Sequence, residues 1–262
     1  MAGVLCAPMS EAAIPALATL RDAAIDLAAS LSDAEWNLQS DCAGWTVRDV
    51  YAHMAGSLHG LVDPAFMRMG DDMNDMEAAQ EIGVAERRTL PIGDIVAEYV
   101  EFSAKAFENF AGMQTGDIAV MEVPMGNLGT HPLHILANAF VFDAYCHLRN
   151  DLVAPFGPLD REPPAASAEV LGPIVEWMIA GLPQMCANEL AFMDRPAVLV
   201  LDGPGGGVFP IGPKGGPVAT ITSTPDAFVR WGTKRRDWRN EGVAIAGDVA
   251  YGQRVADACN VI

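Results

Sequence analysis

Residues 41–60 read DCAGWTVRDVYAHMAGSLHG. Thr46 follows Gly44-Trp45 and supplies a side-chain oxygen suited to an N-cap. Val47, Val50, Tyr51, Met54 and Leu58 then recur at three- and four-residue spacing. The pattern predicts an amphipathic helix from Thr46 to about Met69, with Pro64 as a kink and His53 mid-way along it.

The same periodicity extends on both sides. Upstream, Ser10 is an N-cap for a helix whose stripe is Ile14, Leu17, Leu20, Ala24, Leu27 and Leu31, with Pro15 in its first turns. Ser32 and Glu35 form a capping-box pair for a short helix. Downstream, residues 70–81 are acidic and Met-rich and read as a loop. Pro91 opens a helix over 92–113 with Ile95, Tyr99, Phe102, Ala106 and Phe110 on one face. Residues 115–130 are an irregular connection before a long helix over 131–150, which puts His131 and His134 at its start as surface or capping residues. Proline-rich 153–164 is a connector, and 166–190 is helical despite Pro173 and Pro183.

After Arg195 the pattern changes to short β-type runs, 198–201, 208–211 and 218–222, separated by GPGGG and GPKGG, both read as hairpin turns. Thr224-Pro225-Asp226 starts a helix through Trp231, and 248–259 forms a closing one. The expected architecture is mostly α: a helical bundle over residues 1–192 and a small α+β domain over 193–262.

Sixteen Lys and Arg against thirty-four Asp and Glu give a net charge of −18, which excludes a nucleic-acid or anionic-membrane partner. Half the residues are hydrophobic and the mean hydropathy is +0.19, so the chain folds. A membrane span needs about 20 apolar residues in a row. The best window, 14–31, is interrupted by Pro15, Arg21, Asp22 and Asp26. The first ten residues hold no basic segment leading into an apolar one, so a cytoplasmic location is expected. Cys6, Cys42, Cys146, Cys186 and Cys259 are odd in number and lack CxxC spacing, and are read as reduced, mostly buried thiols.

The five histidines are His53, His59, His131, His134 and His147. Asp143 and His147 stand four residues apart, on one helix face, where they can share a metal or a proton or be an ordinary exposed pair. Asp143 follows the apolar run Ala139-Phe140-Val141-Phe142, and a buried carboxylate needs a partner. His53 can supply a third ligand if its helix packs alongside, giving two His and one carboxylate with open coordination positions. His59 falls about 240° round the helix from His53 and is not a co-ligand. Cys146 points about 100° away from His147, and Cys42 is either a neighbour of the pocket or, the preferred reading, a small buried residue.

Three segments together resemble the mycothiol-dependent maleylpyruvate isomerase family, whose helical domain is a DinB-like metal-binding four-helix bundle. The stretch 41–60 is similar to the family's Cys-x-Gly-Trp-x-Val segment, which leads into a helix with an Ala-His metal ligand, here His53. FVFDAYCHLRND is similar to its Glu-x-x-x-His helix at Asp143, His147 and Asp151. STPDAFVRWGTKRRDW and VAIAGDVAYGQRVADACNV resemble its sterol-carrier-like C-terminal domain. The family's metal-binding Glu is Asp143 here, one methylene shorter.

The resemblance implies a divalent metal, most simply zinc, on His53, Asp143 and His147, and a low-molecular-weight thiol cofactor such as mycothiol held as its thiolate. The thiolate would add to a substrate double bond, permit rotation and leave again, or be transferred. Asp151 is either an orienting carboxylate or a helix-end acid. An anionic substrate needs a local cation, and Arg235, in the cluster Arg230, Lys234, Arg235, Arg236 and Arg239, is the preferred catalytic candidate beside the alternative of a solvated basic turn. The expected partners are a small-molecule substrate and the thiol, with the chain a monomer or homodimer. Two other functions fit the residues: a metal-containing binding protein for a hydrophobic molecule, and a thiol-independent metal hydrolase or lyase.

Overall fold

The computed structural model describes residues 12–68, 70–72 and 75–261; Cys6, the Ser10 cap and the Met69 helix end lie outside them. Helix α1 (Ala13–Ser30) buries Ala13, Ala16, Leu17, Leu20, Ala24 and Ala28. The Ser32–Glu35 pair holds a 3₁₀ turn at Glu35–Asn37, Glu35 accepting from the Ser32 backbone at 2.8 Å. Helix α2 (Val47–Val62) begins at Thr46, whose Oγ1 accepts from the Asp49 N–H at 3.3 Å while Asp49 accepts from the Thr46 N–H at 2.9 Å. It ends at Val62, before Pro64, which opens a separate 3₁₀ turn at Pro64–Phe66 rather than kinking a longer helix.

Half of the acidic 70–81 segment is helix instead of loop. α3 (Met76–Arg87) buries only Ala79, Val84 and Arg87, so its apolar stripe is too thin to read. Tertiary pairing holds it: Asp75 caps the Ala78 N–H at 2.9 Å, Glu81 accepts from Trp45 Nε1 at 2.8 Å, and Arg88 Nε reaches Asp49 at 3.0 Å. α4 (Ile92–Gly112) buries Ile95, Tyr99, Ser103, Ala106 and Phe110. Phe102 stands off that face and stacks on His59.

A short helix α5 (Gly116–Ala119) and the hairpin of β1 (Glu122–Pro124) and β2 (Thr130–Pro132) fill the connection expected to be irregular. The next helix therefore starts later than expected, with a 3₁₀ turn at Leu133–Ile135 and α6 at Leu136–Tyr145. Cys146–Leu152 continues α6 as a wider π-helical turn. α7 (Ala168–Met185) keeps both prolines inside it.

Helices α1, α2, α4 and α6 form the bundle: α1 packs on α4 and α6, α2 on α4, and α7 covers α1 and α6. Tyr51 pins α2 to α1 by donating to the Ala24 carbonyl at 2.7 Å.

The C-terminal sheet has the order β4-β3-β5-β6, from β3 (Ala197–Leu201), β4 (Gly207–Ile211), β5 (Ala219–Ser223) and β6 (Ala244–Gly247). β3 pairs antiparallel with β4 and parallel with β5. GPGGG is thus a hairpin turn, whereas GPKGG carries the chain from β4 past β3 to β5 and is no hairpin. Pro210 is tolerated because β4 is an edge strand. α8 (Pro225–Gly232) and α9 (Val249–Ala258) complete the region. Asp226 at the start of α8 ties it to the bundle, accepting from Tyr145 Oη at 2.6 Å and Arg149 Nε at 3.0 Å.

The α2 cap sets the start of the helix that carries His53. Thr46→Ala is expected to lower unfolding free energy by about 1 kcal/mol, read as a lower urea midpoint with an unchanged m value.

Candidate metal centre and substrate cleft

Four segments converge at the end of the bundle. α2 brings His53, α6 brings Asp143, the π-helical turn brings His147 and Asp151, and the loop before α2 brings Cys42 and Trp45. That loop is folded on its own polar groups. Gln39 Nε2 donates to the Cys42 and Trp45 carbonyls at 2.8 Å each, and the Asp41 N–H donates to the Asp151 carbonyl at 2.9 Å.

Asp143 Oδ1 lies 3.0 Å from His53 Nε2 and 3.4 Å from His147 Nε2. The three donor atoms all fall within 4.8 Å of one another. Ligands on a tetrahedral zinc with bonds of roughly 2.1 Å stand about 3.4 Å apart, so this donor set fits a small divalent ion. On its other side His147 Nδ1 meets Asp151 Oδ2 at 2.9 Å, which draws the Nδ1 proton outward and leaves Nε2 facing Asp143. Asp151 is fully buried and takes a two-pronged contact from Arg235, Nε to Oδ1 at 2.9 Å and Nη2 to Oδ2 at 2.8 Å. Of its two sequence readings, the orienting carboxylate is the one this geometry carries.

Charge follows the geometry. Burial by itself would raise the Asp143 carboxyl, but His53 and His147 hold it far below its ordinary 3.8. Burial likewise opposes ionisation of Asp151, and the hydrogen bonds from Arg235 and His147 outweigh it. Burial would lower His147, yet Asp143 and Asp151 on its two sides hold it well above 6.5.

The remaining candidates fall in different places. Cys42, half-buried, puts Sγ 3.7 Å from His147 Nδ1 and so adjoins the site. Cys146 is buried within electrostatic reach of Arg235, Asp151, His147 and Asp143, and burial pushes its thiol up to about 12. His59 is sandwiched between Phe66 and Phe102 and pairs with Glu98 at 2.5 Å, outside the cluster. His131 is no surface residue: it is 2% exposed, with Nε2 donating to the Leu128 carbonyl and its ring against Trp177. His134 sits in the 3₁₀ turn before α6. Within the basic cluster Arg230, Arg235, Arg236 and Arg239 each face a carboxylate at 2.9 Å or less, whereas Lys234 Nζ donates to the Asp257 carbonyl.

Two contributors escaped the sequence reading. Trp45 lays its indole 5.1 Å from the His53 ring and 6.3 Å from that of His147, held by Glu81 of the unexpected α3. A narrow cleft between α1, α2, α4 and α6, with free room of only about 20 Å³, reaches Asp143 from the bundle side. It explains how a residue so deep keeps 35% of its side-chain surface accessible. The only sequence signals for it were a charge, Arg21, on an otherwise apolar helix, and a tyrosine, Tyr99, on a core face.

The two carboxylates titrate lower in the folded chain than 3.8, so their pairing adds stability above that pH and is lost as pH falls through their folded values. His147 titrates higher than 6.5, so its contribution is complete below 6.5 and is lost as pH rises through its folded value. Metal-free protein is therefore expected to lose stability above pH 6.5, with a slope of up to about 1.4 kcal/mol per pH unit in urea unfolding. His147→Gln should remove that slope; a slope unchanged by the substitution would contradict the pairing.

Residues 17–147, half of the chain, match the family profile described as mycothiol maleylpyruvate isomerase N-terminal domain. Among solved structures, the crystal structure of the mycothiol-dependent maleylpyruvate isomerase is similar with a TM-score of 0.59 and 18% identity, over 90% of this chain and 93% of that one. A histidine-to-alanine mutant of that enzyme gives 0.54 and 18% over the same shares. At this identity the likeness establishes the shared fold. A search of curated proteins finds no match. With its bundle, its C-terminal sheet and the profile match in agreement, the chain belongs to the mycothiol maleylpyruvate isomerase family.

Proposed function

We propose that this protein is a divalent-metal-dependent enzyme that uses a small thiol of the mycothiol type to isomerise, or to attach sulfur to, a small anionic substrate. The observation that carries the reading is the convergence of His53 Nε2, His147 Nε2 and Asp143 Oδ1 within 4.8 Å at the end of a cleft. The thiol dependence named for the structurally similar isomerase comes to this chain as part of the proposal.

His53, Asp143 and His147 would hold the metal, with zinc favoured by a donor set of two imidazole nitrogens and one carboxylate oxygen that leaves a fourth position open. When bound, such an ion supplies a Lewis acid that favours the thiolate over the thiol of a coordinated small molecule. The protein's own groups prepare that site. Asp151 holds the His147 ring with Nε2 inward, Arg235 keeps Asp151 charged, and Trp45 covers both imidazole rings from the loop side. The shorter Asp143 is no obstacle, since its Oδ1 already meets both histidines. Arg235 remains the proposed catalytic residue of the C-terminal unit. Its Nε and Nη2 are spent on Asp151, and Nη1, free of hydrogen bonds to the described residues, is left to donate to thiol or substrate.

The proposal assigns residues 1–192 to the unit that holds the metal and 193–262 to the unit that supplies Arg235. Among the described residues no helix is long and apolar enough to cross a membrane, and the four described cysteines are free. Both facts support work in the reducing cytoplasm.

Protein purified without chelator is expected to carry about one equivalent of zinc or another divalent ion by elemental mass spectrometry, following from one three-ligand site. His53→Ala and His147→Ala should lose it, while Asp143→Glu should retain it. Calorimetric titration with N-acetylcysteine should show binding to the metal-loaded form only. A wild-type protein that takes up no metal would refute the proposal. Metal uptake without thiol binding would favour metal-bound water as the reagent in place of a thiol.

A further inference from the structure

We propose that the outer face of the His147 ring is a second metal site, where Cys42 Sγ, His147 Nδ1 and a carboxylate oxygen of Asp151 take up a thiophilic divalent ion. The inference goes beyond the proposed function. It uses neither His53 nor Asp143 and stands whether or not the inner centre holds a metal.

His147 presents two faces with separate donor sets. Nε2 looks toward Asp143 and, beyond it, His53, while Nδ1 lies 3.7 Å from Cys42 Sγ and 2.9 Å from Asp151 Oδ2. The three outer donor atoms fall within 4.8 Å of one another, as the inner three do. A sulfur and a nitrogen on one tetrahedral zinc, with bonds of roughly 2.3 and 2.1 Å, stand about 3.6 Å apart. Cys42 and His147 therefore already have the spacing of two ligands. An ion would part Nδ1 from Oδ2 by about half an ångström, a side-chain adjustment. A thiol sulfur, an imidazole nitrogen and a carboxylate oxygen select zinc or cadmium over magnesium or calcium, whose ligands are oxygens.

Cys42 is held in place for this role by its own loop. Its N–H donates to Ser40 Oγ at 3.2 Å and its carbonyl accepts from Gln39 Nε2. Asp41 beside it donates its N–H to the Asp151 carbonyl at 2.9 Å and pairs with Arg236 at 2.7 Å, which ties the loop to the π-helical turn. Cys146, Cys186 and Cys259 are buried, and Cys42 is half-buried, so an ion reaches this thiol from solvent. Solvent also supplies the fourth ligand.

Arg235 does not bar the ion. It holds Asp151 through Nε on Oδ1 and Nη2 on Oδ2, and each carboxylate oxygen has two acceptor positions, so Oδ2 can keep Nη2 and still face a metal. Binding forms the Sγ–metal and Nδ1–metal bonds and releases the Cys42 thiol proton and the Nδ1 proton to solvent. It also removes the Nδ1 proton that Asp151 uses to aim Nε2 inward, so the outer site fills after the inner one and more weakly.

The test is titration of the whole protein with cadmium chloride, followed by the ultraviolet charge-transfer band of a cadmium–thiolate bond. The inner ligands contain no sulfur, so the band reports the outer site alone. Wild type should reach one such bond per chain. Cys42→Ser should lose the band and keep the first equivalent of zinc, and His147→Gln should weaken cadmium at least roughly tenfold. His53→Ala, which lacks an inner ligand, should keep the band. X-ray absorption at the cadmium edge of wild type, which relies on no variant folding, should show one sulfur neighbour. A wild type with no band, a band that survives Cys42→Ser, or cadmium affinity unchanged by His147→Gln would overturn the proposal. A wild type that gives the band and takes up no zinc at the inner centre would refute the metal-dependent function and uphold the outer site.

Discussion

A carboxylate that sits between bundle helices must find positive charge or hydrogen-bond donors, and Asp143 finds two imidazoles. This contact sets more than local chemistry. It requires α2 and α6 to present His53 and Asp143 to each other at 3.0 Å, which fixes the level of one helix against the other. It also requires His147 to turn inward, and that is only stable because a second carboxylate, Asp151, holds the outer face of its ring. Asp151 then needs a cation of its own and takes it from Arg235, beyond α8. The row His53, Asp143, His147, Asp151, Arg235 runs from the second helix of the bundle to the C-terminal region in alternating character.

Such a row is costly if broken, because removal of any member leaves a neighbour buried and unpaired. It also gives the site its readiness. In the metal-free protein a proton on His147 balances Asp143, and a divalent ion bound as proposed would take the place of that proton. The π-helical turn at Cys146–Leu152 places His147 and Asp151 where the row needs them, and turns of this kind concentrate at functional sites. The narrow cleft on the bundle side reaches Asp143 without drawing His53, His147, Asp151 or Arg235 into its lining.

Much of this was legible in residue patterns. The Thr46 cap and the spacing behind it located α2 and His53, and the Asp143–His147 pair in an apolar run pointed to the candidate site, because both signals are local. What stayed hidden depends on distant partners. α3 has almost no apolar face and stands on the Arg88–Asp49 ion pair and the hydrogen bond from Trp45 to Glu81, which a periodicity cannot contain. The π turn looks like ordinary helix in composition. GPKGG has the composition of a hairpin turn, and only the insertion of β3 between β4 and β5 makes it a crossover. The basic cluster looked like an anion receptor because its carboxylate partners, Asp41 and Asp151 among them, come from elsewhere in the chain. Arg21 read as an interruption of an apolar helix, while in the fold it faces the cleft.

The most direct test of the account is the number of protons released when zinc is added to metal-free protein in weakly buffered solution near neutral pH. Displacement of the His147 proton predicts release of about one proton per zinc bound, falling toward zero in His147→Gln together with loss of tight binding. Tight zinc binding that releases no proton, or that survives the substitution unchanged, would contradict the claim that Asp143 and its two histidines form the centre.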